Sequence, residues 1–317
     1  MSELIHGDFS NLPWHALDFM QEKYLEGAGA RLHFAQTNDA NGHSMPTIVF
    51  LHGVLRDWRS FYPLLTRLRG TANLVSIDFR GHGSSELTPH AYLVTHYVED
   101  AVRLIKRLAN PVILYGHSLG AMVALATAAQ IPERIETAIL EDPPFSTMGN
   151  RFEGSPLLQY FQAVATVVQN EVNEAKASLL KTNSEAGVQR LFEAFSNIVV
   201  GTDPNGSLIR LSDQRDFISR RFSAEGLARV DPEVLAPITA GRWLDGYDLD
   251  SLLRSIKSKV VLLRADTSCG GMLTGDEADH IGRCLAGLCE QIYYPGVGHS
   301  MHWARPQELT ELIGRYV

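Results

Sequence analysis

Gly116-His117-Ser118-Leu119-Gly120 decides how this chain is to be read. The five residues fit G-x-S-x-G and follow an apolar run, Pro111-Val112-Ile113-Leu114-Tyr115. An alanine-rich stretch with helical character, residues 121–129, comes directly after. Strand, sharp turn and helix form the context that gives this motif meaning. A serine at such a turn is strained and exposed at the carboxyl edge of a sheet, where its Oγ can reach a carbonyl. The small flanking residues let the helix approach closely, so that backbone N–H groups face a developing oxyanion.

Working outward, the strand-then-helix unit recurs. Upstream, residues 23–26 and 31–35 read as a hairpin joined by Gly27-Ala28-Gly29, after an extension in which Pro13-Trp14-His15-Ala16-Leu17 suits a short helix. Residues 38–46 read as a polar loop. Residues 47–51 are apolar throughout, as a strand buried on both faces is, and stop at His52-Gly53. Helical spacing over 58–68, a strand over 73–77 ending at Asp78, and a helix over 96–108 follow. After the serine turn come strands at 135–140 and 260–265, a helix at 275–288, a strand at 291–294 and a closing helix at 306–316. Strands alternating with helices imply a mostly parallel sheet with helices on both faces.

Residues 143–245 break the alternation. They hold helical stretches at 156–174, 184–197, 211–222 and 232–239 but no buried-strand pattern. A structureless loop of this length is improbable. The expected organisation is a core over 1–142, an inserted helical cap over 143–245 and the rest of the core over 246–317. The cap would lie over the carboxyl edge, where open α/β sheets bind ligands.

Composition narrows the function. A chain of 317 residues with 45% hydrophobic and 20% charged residues is an ordinary globular protein. Its net charge of −8, with no lysine or arginine cluster, argues against a nucleic-acid partner. No apolar run is long enough to span a membrane, and the N-terminus lacks a secretory pattern, so a cytoplasmic setting is expected. Cys269, Cys284 and Cys289 make neither a disulfide framework nor a zinc pattern. None of the twelve histidines lies in H-E-x-x-H. Gly81-His82-Gly83 lacks the companion spacing of a dinucleotide fingerprint, and no lysine marks a phosphate loop. No metal and no cofactor are expected.

A serine nucleophile needs a base, and the base needs an orienting carboxylate. The base is expected at His299, in Pro295-Gly296-Val297-Gly298-His299, between the last strand and the final helix; His302 competes. For the carboxylate, Asp266 at the end of the 260–265 strand precedes His299 and is the first choice. Asp142, ending the strand after the serine, is the alternative, followed by Glu141, Asp245 and Asp248. Oxyanion donors are expected from the N–H groups of Leu119 and of Val54, after His52-Gly53. His52, Trp58, Phe145, Trp243 and Trp303 are candidates to line a pocket for a largely apolar small molecule.

Four elements in order carry a resemblance. They are His52-Gly53, Asp78-Phe79-Arg80-Gly81-His82-Gly83-Ser84-Ser85, Gly116-His117-Ser118-Leu119-Gly120 and Gly296-Val297-Gly298-His299. Together they resemble the α/β-hydrolase superfamily in its cap-bearing, serine-nucleophile branch. The resemblance implies a triad of serine, late histidine and intervening acid. It also implies an oxyanion hole from the His-Gly loop and the residue after the serine. The sequence departs from the family at the acid. The run Arg264-Ala265-Asp266-Thr267-Ser268-Cys269-Gly270-Gly271 has no carboxylate at the usual later position. Asp266 would then serve from an earlier place, or cede the role to Asp142. The expected activity is hydrolysis of a carboxylic ester or lactone. The same scaffold supports C–C bond hydrolysis of diketones, thioester or amide hydrolysis, acyl transfer and cofactor-free haloperoxidation. A non-catalytic small-molecule receptor is the reading from another class.

Overall fold

A computed structural model describes residues 14–37, 45–178 and 182–317. Most of the N-terminal extension and of the 38–46 loop lies outside the described residues. The apolar runs become one eight-stranded sheet. After a short turn over Trp14–Leu17, β1 (Met20–Leu25) and β2 (Leu32–Thr37) form the expected antiparallel hairpin. Strands β3 (Thr47–Leu51), β4 (Asn73–Ile77), β5 (Val112–His117) and β6 (Ile135–Glu141) follow in the chain. A separate antiparallel ribbon, β7 (Val199–Thr202) and β8 (Leu208–Arg210), precedes β9 (Lys259–Ala265) and β10 (Cys289–Tyr294). The sheet order is β1-β2-β4-β3-β5-β6-β9-β10, and every pairing from β4 to β10 is parallel.

Alternation along the strands divides the core between two faces, because successive side chains point to opposite sides. Val49 and Leu51 of β3 and Val112 and Leu114 of β5 pack into one apolar cluster. Their neighbours Ile48, Phe50, Ile113 and Tyr115 pack into the other. The second cluster takes in α1 (Tyr62–Leu68). The first takes in α2 (Val94–Ile105) and α3 (Leu119–Gln130). On α2 the buried residues Val94, Tyr97, Val98, Ala101, Leu104 and Ile105 repeat at helical spacing. Burying a side chain such as Leu104 contributes roughly 1.5–3 kcal/mol. On α3 every residue from 119 to 128 is buried, so this alanine-rich helix has no solvent face.

Between β6 and β9 the chain runs through α4 (Pro156–Ser178), α5 (Glu185–Ser196), the β7–β8 ribbon, α6 (Leu211–Gln214), α7 (Phe217–Leu227) and α8 (Leu235–Thr239). Two features differ from the sequence expectation. The ribbon is absent from it, because its strands are short and mostly exposed and show no apolar alternation. The single helix expected over 211–222 is broken at Arg215, which is extended (φ −123°, ψ 136°), and Asp216 caps α7 by accepting from Ser219 N. A short α9 (Leu249–Ser255) leads into β9; α10 (Gly275–Cys284), α11 (Met301–Ala304) and α12 (Pro306–Ile313) complete the chain. Among the described residues no helix is long and apolar enough to cross a membrane.

The order β4-β3-β5 means that successive strands are added first to one side of β3 and then to the other. That reversal opens a crevice at the carboxyl ends of β3 and β5, the usual binding position in such sheets. Closure there depends on two glycines. A Cβ on Gly120 would stand 1.8 Å from the Leu51 carbonyl oxygen, and one on Gly116 would stand 2.1 Å from that of Gly120. Both obstacles are backbone and cannot rotate away. Gly120→Ala is therefore expected to destabilise the protein by about 3 kcal/mol or more, at the upper end of overpacking. Gly201→Ala, which meets nothing within 4 Å, should stay within about 0.5 kcal/mol of wild type. Urea unfolding of the two variants checks this, and equal midpoints would refute the backbone contact.

Candidate active site

Ser118 sits between β5 and α3 with φ 55° and ψ −117°, a conformation that strains any side chain. The turn is held from both sides. Ser118 N donates to Glu141 O at 2.9 Å, and Ser118 O accepts from Ala121 N and Met122 N. Leu119 opens α3, so its N–H has no partner within the helix. Gly53 lies directly opposite: a Cβ there would be 3.3 Å from Ser118 Cβ. Val54 follows, and its N–H makes no hydrogen bond among the described residues. The two N–H groups expected to form an oxyanion hole are thus left available beside the serine.

Two buried histidines brace the 52–55 loop. His52 Nδ1 donates to Gly53 O at 2.7 Å, while its Nε2 accepts from Phe79 N at 3.1 Å. His82 Nδ1 donates to Arg80 O at 3.0 Å, while its Nε2 accepts from Leu55 N at 3.2 Å. Each ring needs one bare nitrogen, so each must be neutral. Burial is the main cause that holds His52 down to about 3 and His82 to about 4. Asp78, from the resemblance motif, anchors the other end by accepting from Trp58 N at 2.7 Å and Ser84 N at 2.9 Å.

His299 lies where the sequence places the base, on the loop between β10 and α11. Its Nδ1 bonds to Asp142 Oδ2 at 2.6 Å. Nε2 has no protein partner among the described residues, and His299 and Ser118 line the same cavity of about 1070 Å³.

The expected acid is the main correction. Asp266 does not reach His299. It is half-buried, and its carboxylate accepts from Ser268 N, Ser268 Oγ and, at 2.9 Å, Gly296 N. Those bonds, the one from Gly296 first, hold it below the usual carboxylate range. Asp266 ties the end of β9 to the turn that carries His299. Asp142 is fully buried, with φ 47°, one residue past β6. Besides the imidazole it accepts N–H groups from Met272 at 2.8 Å, Leu273 at 3.1 Å and Ala265 at 3.4 Å. The missing carboxylate after Asp266 was the sequence signal for this arrangement. Glu141 and His302, the other candidates, are spent on each other at 2.8 Å, and Glu141 also accepts from Tyr115 Oη. Asp248 caps α9, and Asp245 pairs with exposed Arg242.

Of the five expected pocket residues only Trp243 lines the cavity. His52 holds the loop as described. Trp58 and Phe145 are buried in the two core clusters, and Trp303 donates its indole N–H to Ser60 O and packs against Phe222. Sequence reasoning missed Arg56, Tyr160, Phe195, Arg215 and Met272 as lining residues. The first follows the His-Gly loop by three residues, which was the available signal. Tyr160, Phe195 and Arg215 depend on how the inserted segment folds back, and Met272 on the turn after β9.

Among the described residues two groups of side chains offer the donor types a metal takes: buried His117, Glu141 and His302, and the more exposed Asp250, His280 and Cys284. In the first group Glu141 and His302 already satisfy one another. His117 donates through Nε2 to the His299 carbonyl at 3.0 Å, which leaves Nδ1 bare and without a partner. Burial, then His299 and His302, keep His117 well below the normal imidazole range.

A strained serine, a histidine oriented by a buried aspartate and two free N–H groups at a sheet crevice place the chain in a recognisable class. The model of the Alpha/beta hydrolase family matches residues 48–312, and the chain belongs to that family. It is similar to the 2-(acetamidomethylene)succinate hydrolase of Mesorhizobium japonicum, 29% identical over 155 residues, 46% of this chain and 56% of that protein. It is 27% identical over 90% of its length to Protein PHYLLO, chloroplastic, of Arabidopsis thaliana, of which the match spans only 16%. It is also 24% identical to human Serine hydrolase-like protein 2 over 86% of this chain and 87% of that one. Among solved structures, the enol-lactonase from Burkholderia xenovorans aligns with a TM-score of 0.66 at 18% identity, covering 93% of this chain and 99% of the other. The fold is shared at that distance.

Two outcomes are expected. Asp142→Asn should lower ester turnover by about 10⁴-fold, as removal of the orienting carboxylate does in a serine protease. Asp266→Asn should keep turnover within an order of magnitude while lowering the melting temperature. Steady-state kinetics on one activated ester, with circular dichroism, checks both; a crippled, folded Asp266→Asn reverses the assignment. A further outcome concerns acid. His52 and His82 titrate in the folded state near 3 and 4, below the 6.5 of the unfolded chain, so below pH 6.5 the unfolded chain binds more protons. The contribution of these two rings to stability should be level above pH 6.5 and fall as pH drops, with a slope of roughly 1.4 kcal/mol per pH unit for each histidine. Urea midpoints between pH 7.5 and 5 measure it, and a flat profile is inconsistent with neutral rings.

Proposed function

We propose that the protein is a serine hydrolase that cleaves a carboxylic ester or lactone through an acyl-enzyme. The observation that carries this reading is the 2.6 Å bond from His299 to buried Asp142, on a cavity shared with the strained Ser118. Ser118 Oγ attacks the carbonyl carbon, and His299 Nε2 takes the hydroxyl proton. Asp142 keeps the imidazole in the required tautomer and stabilises the imidazolium. The N–H groups of Leu119 and Val54 receive the oxyanion. Collapse breaks the bond to the leaving oxygen, to which His299 returns the proton. A water then gives its proton to His299 and its oxygen to the acyl carbon, and Ser118 leaves reprotonated. In a lactone both products remain one hydroxy acid. The hydrogen bond from Ser118 to His299 closes with substrate in place, as catalytic hydrogen bonds often do.

Residues 143–245 form the cap in this reading, since Met148, Leu157, Tyr160, Phe161, Leu211 and Trp243 from that segment wall the cavity above Ser118. The names of the sequence relatives, a succinate-derivative hydrolase and a serine hydrolase-like protein, support the reaction class.

A fluorophosphonate should add one adduct to the wild-type protein and none to Ser118→Ala, read by intact mass. In parallel, a panel of 4-nitrophenyl esters, lactones, acyl thioesters and a vinylogous diketone should show esters or lactones turned over best. Turnover of the diketone alone transfers the reading to C–C hydrolysis. Labelling that survives in Ser118→Ala removes the serine mechanism altogether.

A further inference from the structure

The cavity has more hydrogen-bond donors than the protein has acceptors for them. Arg56 lies two residues past Val54 on the loop after β3 and lines the cavity. Its guanidinium donates to Ser223 Oγ at 2.9 Å and lies 5.0 Å from the centroid of the Phe222 ring. It makes no ion pair among the described residues. The adjacent carboxylate, Asp57, is taken by Arg59 and Arg229. Across the cavity, Arg215 sits at the break between α6 and α7. Its guanidinium stands 5.7 Å from the Tyr160 ring centroid and 5.8 Å from that of Phe195, again without an ion pair among the described residues. Trp243, also on the wall, has its indole N–H buried with no acceptor.

Other little-exposed arginines of this chain are handled differently. Arg80 lies on Asp100 at 2.6 Å, and Arg221 lies on Glu185 at 2.8 Å. Withdrawing a cation from water is expensive unless an anion meets it, so an unpaired guanidinium on a cavity wall is a deficit awaiting a ligand. Burial and the nearby Arg215 lower even the Arg56 guanidinium, to about 10. Among the described residues the one carboxylate on the cavity wall is Asp216, which is exposed and caps α7 through Ser219 N. The expectation of a largely apolar substrate leaves this cationic wall without a purpose.

We propose that the cavity takes an ester or lactone whose acyl part carries a carboxylate, received by Arg56 and supported by Arg215. Arg56 shares its loop with the oxyanion donor Val54, so the carboxylate is held on the same loop as the scissile carbonyl. A planar guanidinium suits a carboxylate, which it can meet through two parallel hydrogen bonds. This inference rests on Ser118 acting as the nucleophile, but the anion site stands apart from it.

The test compares mono-4-nitrophenyl adipate with its neutral counterpart, 4-nitrophenyl hexanoate. The ratio of their kcat/KM values is read, so that a general loss of fold cancels. Wild type should favour the adipate by more than tenfold. Arg56→Gln should lower the ratio at least tenfold, Arg215→Gln by less, and Arg56→Lys should recover part of it. A ratio that Arg56→Gln leaves within twofold of wild type overturns the inference, while Ser118-dependent turnover of the hexanoate leaves the hydrolase reading standing. If neither ester is turned over, calorimetry with adipate decides. Binding to the wild-type protein that weakens at least tenfold in Arg56→Gln upholds the anion site and sinks the hydrolase reading; no binding, or no difference, sinks both.

Discussion

The Asp142 carboxylate is the point on which this site depends. It has no solvent access, and it is tolerated because the groups that reach it are donors. Three backbone N–H groups and an imidazole reach it, and its own N–H is bonded to Leu263 O on β9. A buried anion satisfied in this way is fixed in place, since any shift would strand a donor. The carboxylate therefore locks the ends of β6 and β9, the start of the segment after residue 271 and the His299 loop to one another. Fold and site are joined at that residue, because the groups that solvate the charge are the ones that define the crevice wall.

The same economy appears on the other side of Ser118, with neutral groups. His52 and His82 each use one ring nitrogen as donor and one as acceptor, so that Gly53 O, Phe79 N, Arg80 O and Leu55 N are all paired inside a dry interior. Both rings bridge the β3 loop to the Asp78-to-Ser85 segment. The positive φ of Leu55, 64°, is held there by that bridging. What remains unpaired is the Val54 N–H between them. A donor left free by the satisfaction of all its neighbours is already aimed when an oxyanion forms, which is how electrostatic preorganisation works.

Much of this was legible in the residues. The central strands at 47–51 and 260–265 read as buried apolar runs, and the strands expected at 47–51 and 73–77 coincide with β3 and β4. The placement of Ser118 and His299 on one cavity was legible because each stands among glycines at a strand end. The carboxylate that meets His299 was not, because Asp142 and Asp266 both end strands and both precede His299. What separates them is the side to which the chain turns next. Asp142 takes a positive φ and is buried, whereas Asp266 caps a turn and binds Gly296 N. The inserted segment was legible as helical but not in detail. Its ribbon is too short and exposed for a pattern, and the break at Arg215 is set by tertiary packing against Tyr160 and Phe195. Pocket residues proved hardest, since aromatic side chains look alike in sequence whether they fill a core or face a void.

Asp266 has a further consequence. In the proposed arrangement the strand that would ordinarily deliver the acid delivers a turn cap instead, and the residues just beyond it carry no chemistry. Cys269 and Gly270 belong to the cavity wall. The backbone that must stay in register, Met272 and Leu273, resumes only after Gly271. Residues 267–270 are thus a short panel framed by two fixed posts, Asp266 on one side and the Met272–Leu273 amides on the other. The Cys269 side chain of such a panel can be exchanged to retune the pocket, whereas its backbone, packed on Gly298 beside His299, cannot change length without moving that loop.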